Sequence, residues 1–199
     1  MEFDSDHEIE KEFSGDTWVN ESNFYGGYAD DDATILEQRK DNSSGAFIMH
    51  LNINSIQNKS EELKKMNDAL KAHILVISET KIDSSYANSQ FNLNGYHMYR
   101  KDRVKGGGGL IVYFSSVIWS KKLTLLRAYK TLEAIAVESR RGSTDIVLLA
   151  IYGPPRLSRK GRKMPPEDKY LQKVEDEIND VCQWASFQKQ TIVTAKSGV

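Results

Sequence analysis

The sequence predicts a layered α/β domain behind an acidic leader, on three observations. An apolar run, a helix-patterned run and a second apolar run follow one another from Ala46 to Ser78, the order of a β-α-β unit. Two further continuous apolar runs, LIVYFS and DIVLLAIY, have the texture of strands buried on both faces. The charge is unevenly spread. Residues 1–45 hold 13 acidic and 3 basic side chains, and residues 46–199 hold 15 acidic and 24 basic ones. A leader of −10 and a body of +9 therefore make up the formal charge of −1. A total of 199 residues suits about one domain.

Residues 1–45 show no sustained apolar period. They carry DSD, DDD, GG and NSSG, and the aromatics Phe13, Trp18, Phe24, Tyr25 and Tyr28 are scattered. Self-repulsion with little to bury predicts disorder. The leader could also fold back over the basic body as an electrostatic mask, or dock a partner through its aromatics. From Ala46 the texture changes. AFIMHLNI is a β-favouring run, and SEELKKMNDALKA follows with Leu63, Met66 and Leu70 on one helical face. Ser60, Glu61 and Glu62 mark the helix start. HILVIS is the next strand, and the loop ETKIDSSYANSQF leads to the short strand GYHMYR. KDRVKGGGG is a charged, glycine-rich turn before LIVYFS.

VIWSKKLTLL and LEAIAVES read as further strands, and RRGSTD as a hairpin turn carrying Gly142. PPRLSRKGRKMPP is a proline-bracketed basic loop. A long amphipathic helix follows, with Tyr170, Val174, Ile178, Val181 and Ala185 at helical spacing and Glu167 and Asp168 near its positive end. TIVT is a last short strand. The lone Cys182 excludes an internal disulfide framework and a multi-cysteine zinc site, which suits a reducing compartment, nuclear or cytoplasmic. No run approaches the roughly 18 apolar residues of a membrane span, and the acidic N-terminus fits neither a secretory signal nor a transit peptide.

Three features sit where strands hand over to loops: LNIN, SET and AIYGPP. In layered α/β proteins polar side chains converge at such ends. Asn52 and Asn54 supply amide oxygens, and Glu79 supplies a hard carboxylate. That chemistry suits Mg²⁺, which usually takes one or two protein carboxylates and completes its shell with water and phosphate. Tyr152 is placed to hydrogen-bond a phosphate oxygen. Taken singly, each has an ordinary alternative: a solvated loop Glu, Asn turn chemistry, a packing Tyr before Pro-Pro. Arg100, Lys101, Arg103 and Lys105, with Arg156, Arg159, Lys160, Arg162 and Lys163, form two basic clusters, read either as phosphate contacts or as a solvated charged face.

The run LNINSI, ILVISET, GY…R with GGGG, then AIYGPP, resembles the endonuclease/exonuclease/phosphatase family over roughly residues 46–195. More narrowly, it resembles the endonuclease domain of non-LTR retrotransposons. That resemblance implies a four-layer α/β sandwich with two sheets packed face to face. It also implies Mg²⁺-dependent hydrolysis of a phosphodiester, with DNA as partner, or of a phosphomonoester in the phosphatase branches. It places Asn52 on the Asn that organises the active site and Asn54 where many relatives hold an Asp near the metal. It places Glu79 on the metal-binding Glu, and Tyr152 on the Tyr that approaches the scissile phosphate.

The sequence departs from the pattern further on. Relatives carry Gly-Asp-x-Asn after the last helix and strand, whereas Ala195 and Lys196 follow TIVT here. The chain ends at Val199, before the family's Ser-Asp-His motif, so the domain is expected to be incomplete. The expected consequences are a mostly missing second sheet, an exposed inner sheet face, and a need for the missing half or another chain to cover it. Of His7, His50, His73 and His97, none sits where the family places its general base. The expected function is that of a truncated, inactive endonuclease domain, with a basic nucleic-acid-binding remnant or a phosphatase as alternatives.

Overall fold

The computed structural model describes residues 18–19, 46–103, 106–141, 144–153, 166–188 and 191–198. For residues 18–19, 141, 144 and 191–198 it describes the backbone only. The strands are β1 (Trp18–Val19), β2 (Ile48–Asn52), β3 (Ile74–Ser78), β4 (Tyr96–Lys101), β5 (Leu110–Ser115), β6 (Trp119–Leu123), β7 (Glu133–Arg141), β8 (Thr144–Gly153) and β9 (Thr191–Gly198). The helices are α1 (Ser60–Leu70) and α2 (Glu167–Ser186), with a short 3₁₀ turn at Asn88–Gln90. The strands make two sheets, in the orders β1-β2-β3-β5-β4 and β6-β7-β8-β9.

The predicted β-α-β opening is present: β2 and β3 pair in parallel from Ile48↔Ile74 to Asn52↔Ser78, with α1 between them in sequence. Leu63 and Leu70 are buried on α1, and Met66 packs beside them. Burying a Leu-sized side chain contributes about 1.5–3 kcal/mol, so this face holds the helix to the sheet. Glu61 and Glu62 sit in its first turn, where the helix dipole favours them. Lys71 ends it in the left-handed conformation, its N–H donating to Asn67 O at 2.7 Å.

Alternation along the strands sorts the apolar residues into two faces. Met49, Leu51, Leu75, Ile77, Ile111 and Tyr113 pack with α1. On the other face Ile48, Ile74, Val76, Val112 and Phe114 meet Ile135, Val137, Leu148 and Ala150 of the second sheet. The outer face of that sheet, with Ala136, Val147 and Leu149, packs on Val181, Trp184 and Ala185 of α2. The architecture is helix, sheet, sheet, helix, the four-layer sandwich that the resemblance implies.

The expectation of an exposed inner sheet face is overturned. Val112, Phe114, Val137, Leu148 and Ala150 are all fully buried. The β7–β8 hairpin, paired from Glu133↔Tyr152 to Arg141↔Thr144, is long enough to cover the first sheet, and β6 and β9 extend it on either side. The last strand is also longer than TIVT. It pairs in parallel with β8 through Ala195, Lys196 and Ser197, because β8 offers a full row of backbone partners whatever the side chains. In the acidic segment, Trp18–Val19 pairs in parallel with Ile48 and Met49 as an edge strand, so the expected disorder does not extend to these two residues. The rest of 1–45, and Gly142 with its turn, lie outside the described residues.

Candidate active site

Topology brings the three sequence features to one end of the sandwich. β2 and β3 run in parallel and finish together at Asn52↔Ser78, and β8 finishes in the other sheet with Tyr152 opposite Glu133. The loops after β2 and β3 are laced together: Ile53 N–H donates to Ser78 O at 3.1 Å, Ser55 N–H to Glu79 O at 2.8 Å, and Ile56 N–H to Thr80 O at 3.1 Å. Ile53, Ile56 and Ile82 are fully buried and anchor both loops. Asn54, Ser55, Glu79 and Lys81 all have positive φ, at 46°, 83°, 55° and 56°. Left-handed backbone in non-glycine residues costs about 1–2 kcal/mol each, and four in two short loops mark a strained, over-determined corner.

Glu79 is the hub. Its Oε1 accepts a hydrogen bond from Asn52 Nδ2 at 3.0 Å and one from the Tyr152 hydroxyl at 2.9 Å. Its Oε2 faces Lys81 Nζ at 3.7 Å. Lys81 Nζ also donates to Asn54 Oδ1, while Asn54 N–H donates to Asn52 Oδ1 at 3.3 Å. Asn52, Asn54, Glu79 and Tyr152, from three separate places in the sequence, thus form one connected cluster. Burial, then the hydrogen bond to the Glu79 carboxylate, raises the Tyr152 phenol well above its ordinary value, so it stays a donor.

The glycine-rich turn is explained by close approach. Gly109 N–H donates to Glu133 Oε2 at 2.6 Å, and Lys81 N–H donates to Gly108 O at 2.7 Å. A Cβ on Gly109, at φ +95°, would stand 2.2 Å from Thr80 Oγ1, and one on Gly108 would stand 2.3 Å from Glu133 Oε1. The turn therefore lies flat against the Glu79–Lys81 loop.

Glu133 is the residue that sequence reasoning missed. It is buried beside this cluster, and Arg103 Nε lies 3.5 Å from its Oε1. Burial raises its carboxyl above the ordinary range, against the pull of the Gly109 N–H and of Arg103. The only signal was a carboxylate at the entry of an otherwise apolar strand. Lys81 was likewise read as loop.

The basic clusters fare unevenly. Arg100 is turned inward: Nη1 donates to Tyr86 O at 3.0 Å and Asn88 Oδ1 at 2.7 Å, Nη2 to Asp83 O at 3.1 Å and Asp102 Oδ2 at 2.7 Å, and Nε to Asp102 Oδ1 at 3.1 Å. Its donors are committed to the fold, which corrects its reading as a phosphate contact. Lys101 is exposed, and Arg103 is held by Glu133. Lys105, Arg156, Arg159, Lys160, Arg162 and Lys163 lie outside the described residues. His50 Nε2 lies 3.3 Å from Ser78 Oγ, and His73 Nδ1 accepts from Phe47 N–H at 2.9 Å, so both are engaged with the strands and their flanks.

The fold and this cluster define a class before any name does: a four-layer α/β sandwich with a polar site at its strand ends. No family model and no curated protein sequence matches the chain. Solved structures do. An AP endonuclease from Archaeoglobus fulgidus is 17% identical, with 76% of this chain and 56% of that one covered and a TM-score of 0.51. The catalytic domain of Xenopus laevis APE2 is 16% identical, with 75% and 57% covered and a TM-score of 0.50. The endonuclease domain of TRAS1, a telomere-specific non-LTR retrotransposon, is matched at 12% identity, 76% and 58% coverage and a TM-score of 0.45, too distant to speak for the narrower branch. The chain has the endonuclease/exonuclease/phosphatase fold, and it spans a little over half the length of these three structures.

Proposed function

We propose that this chain carries the metal- and phosphate-organising part of a nucleic-acid phosphodiesterase site and performs little hydrolysis by itself. The single observation behind the reading is the Glu79 hub. Oε1 is held by Asn52 and Tyr152, which leaves Oε2 and Asn54 Oδ1 turned toward one cation. The donor set fits a hard divalent ion, since the Lys81 ammonium already gathers those two oxygens as a stand-in cation. Glu79 and Asn54 would hold Mg²⁺, which supplies Lewis-acid polarisation of a phosphoryl oxygen when bound. Asn52 and Tyr152 fix the carboxylate by donating to Oε1, and the Tyr152 hydroxyl would turn from Oε1 to meet a phosphate oxygen.

The low rate follows from what surrounds the hub. Asn54 is neutral where the resemblance expects an Asp, and the nearby Glu133 carboxyl is taken up by Gly109 N–H and Arg103. His50 and His73 are engaged in the strands. Lys196 stands where the family pattern has its Asp, one residue from the position opposite Tyr152. General base catalysis is worth roughly 10²–10⁴-fold in rate, and neither His50 nor His73 is placed to supply it.

Fluorescence anisotropy of labelled duplex DNA, with and without Mg²⁺, tests this. Mg²⁺ should tighten DNA binding to the wild type but not to Glu79→Ala, and plasmid nicking should be equal in the two. A Mg²⁺ effect that survives Glu79→Ala contradicts the metal assignment, and Glu79-dependent nicking contradicts the low rate. A nucleic-acid surface is favoured by one further observation: Lys122 Nζ donates to Arg100 O at 2.9 Å, bringing the β6 lysines beside exposed Lys101. Phosphate-driven binding there should weaken steeply as salt rises.

A further inference from the structure

The site already contains a cation of its own. Lys81 lies two residues past Glu79, and its backbone is fixed on both sides. The N–H donates to Gly108 O at 2.7 Å, and the carbonyl accepts from Gly106 N–H at 3.2 Å and from Gln57 Nε2 at 3.5 Å. Its φ of 56° is left-handed, which a lysine adopts only when its surroundings insist. That posture sends the ammonium to Asn54 Oδ1 and to within 3.7 Å of Glu79 Oε2. These are the two oxygens assigned above to the metal.

The charges balance without any ion. Glu79 contributes one negative charge and Lys81 one positive, and Asn54 adds none where an Asp would have left the pocket anionic. We propose that Lys81 is a built-in counter-cation that occupies the metal position between Glu79 and Asn54, so that a divalent ion must displace it to bind. The inference rests on the reading of Glu79 as a metal ligand. Displacement is feasible, since the side chain is 30% exposed and ends in a flexible stem that can swing to water. Lys81 thereby sets the metal threshold of the site, and the backbone clamp from the glycine-rich turn is what keeps it aimed.

Titration of the full chain with Mn²⁺, following free Mn²⁺ by electron paramagnetic resonance, tests the proposal without any activity. Lys81→Met and Lys81→Gln should each bind Mn²⁺ at least about ten-fold more tightly than wild type, because one charge about 4 Å from a divalent ion is worth more than that even in bulk water. Lys81→Arg, which keeps the charge, should stay near wild type, and Glu79→Gln should lose the site. A folded Lys81→Met or Lys81→Gln chain that binds no more tightly than wild type, or not at all, overturns the inference. If Glu79→Gln binds as well as wild type, the metal reading itself has failed. If Glu79→Gln loses the site while the Lys81 variants leave affinity unchanged, only the counter-cation has failed.

Discussion

Glu133 shows how a single buried carboxyl ties the glycine-rich turn to the site. It accepts from Gly109 N–H and faces Arg103 while it sits opposite Tyr152 across the hairpin. Its folded pKa is raised above its unfolded value by burial, so between the two values the native state holds the proton more tightly. Stability from this group is therefore present at low pH and falls as pH rises from the ordinary carboxylate range through the raised value. Glu133→Gln removes that slope. Urea midpoints at about pH 4 and about pH 8 should show the variant gaining on wild type as pH rises, and an equal offset at both would contradict this. Nothing local in LEAIAVES reveals the role. It arises from pairing and from a loop more than twenty residues away, whereas Asn52, Glu79 and Tyr152 were legible because each directly ends an apolar run.

At the scale of elements, two contacts carry more than their sequence suggests. Glu177 lies on α2 among charged neighbours and reads as solvated, yet it is buried. It accepts from Thr131 N–H at 2.7 Å, Thr131 Oγ1 at 2.7 Å and Lys130 N–H at 3.0 Å, tying the helix to the segment before β7. Burial pushes its carboxyl up, but those hydrogen bonds outweigh it and hold the group below its ordinary value. Glu177→Ala should cost roughly 1.5–3 kcal/mol in urea unfolding, the worth of a hydrogen bond to a charged group, because two backbone donors lose their partner. The glycine-rich turn gives a ranking. Gly109→Ala, at φ +95°, carries the conformational cost and also meets Thr80 Oγ1, so it should cost roughly 2–5 kcal/mol. Gly106→Ala, at φ +81° but with nothing within 4 Å, should cost only the conformational 1–2 kcal/mol or so. Equal losses would mean that the close approach does not matter.

At the scale of the molecule, the strands and helices of the body were readable because apolar periodicity is a local signal. Closure of the second sheet was not. It rests on the β7–β8 hairpin, whose Ile135, Val137, Leu148 and Ala150 meet the first sheet, and β9 extends the second sheet through Ala195 and Lys196, residues with little strand character of their own. Both sheets share one inner core, so they should unfold together rather than one after the other. Five strands and four, closed over that core, place one carboxylate where a cation already sits. The most direct test of that account is thermal unfolding of the full chain with and without saturating Mg²⁺, beside Glu79→Gln. Ligand that binds only the native state raises its stability by mass action. The account predicts a single cooperative transition that Mg²⁺ shifts upward in wild type and leaves unmoved in Glu79→Gln. An equal shift in both chains, or no shift in either, would contradict it.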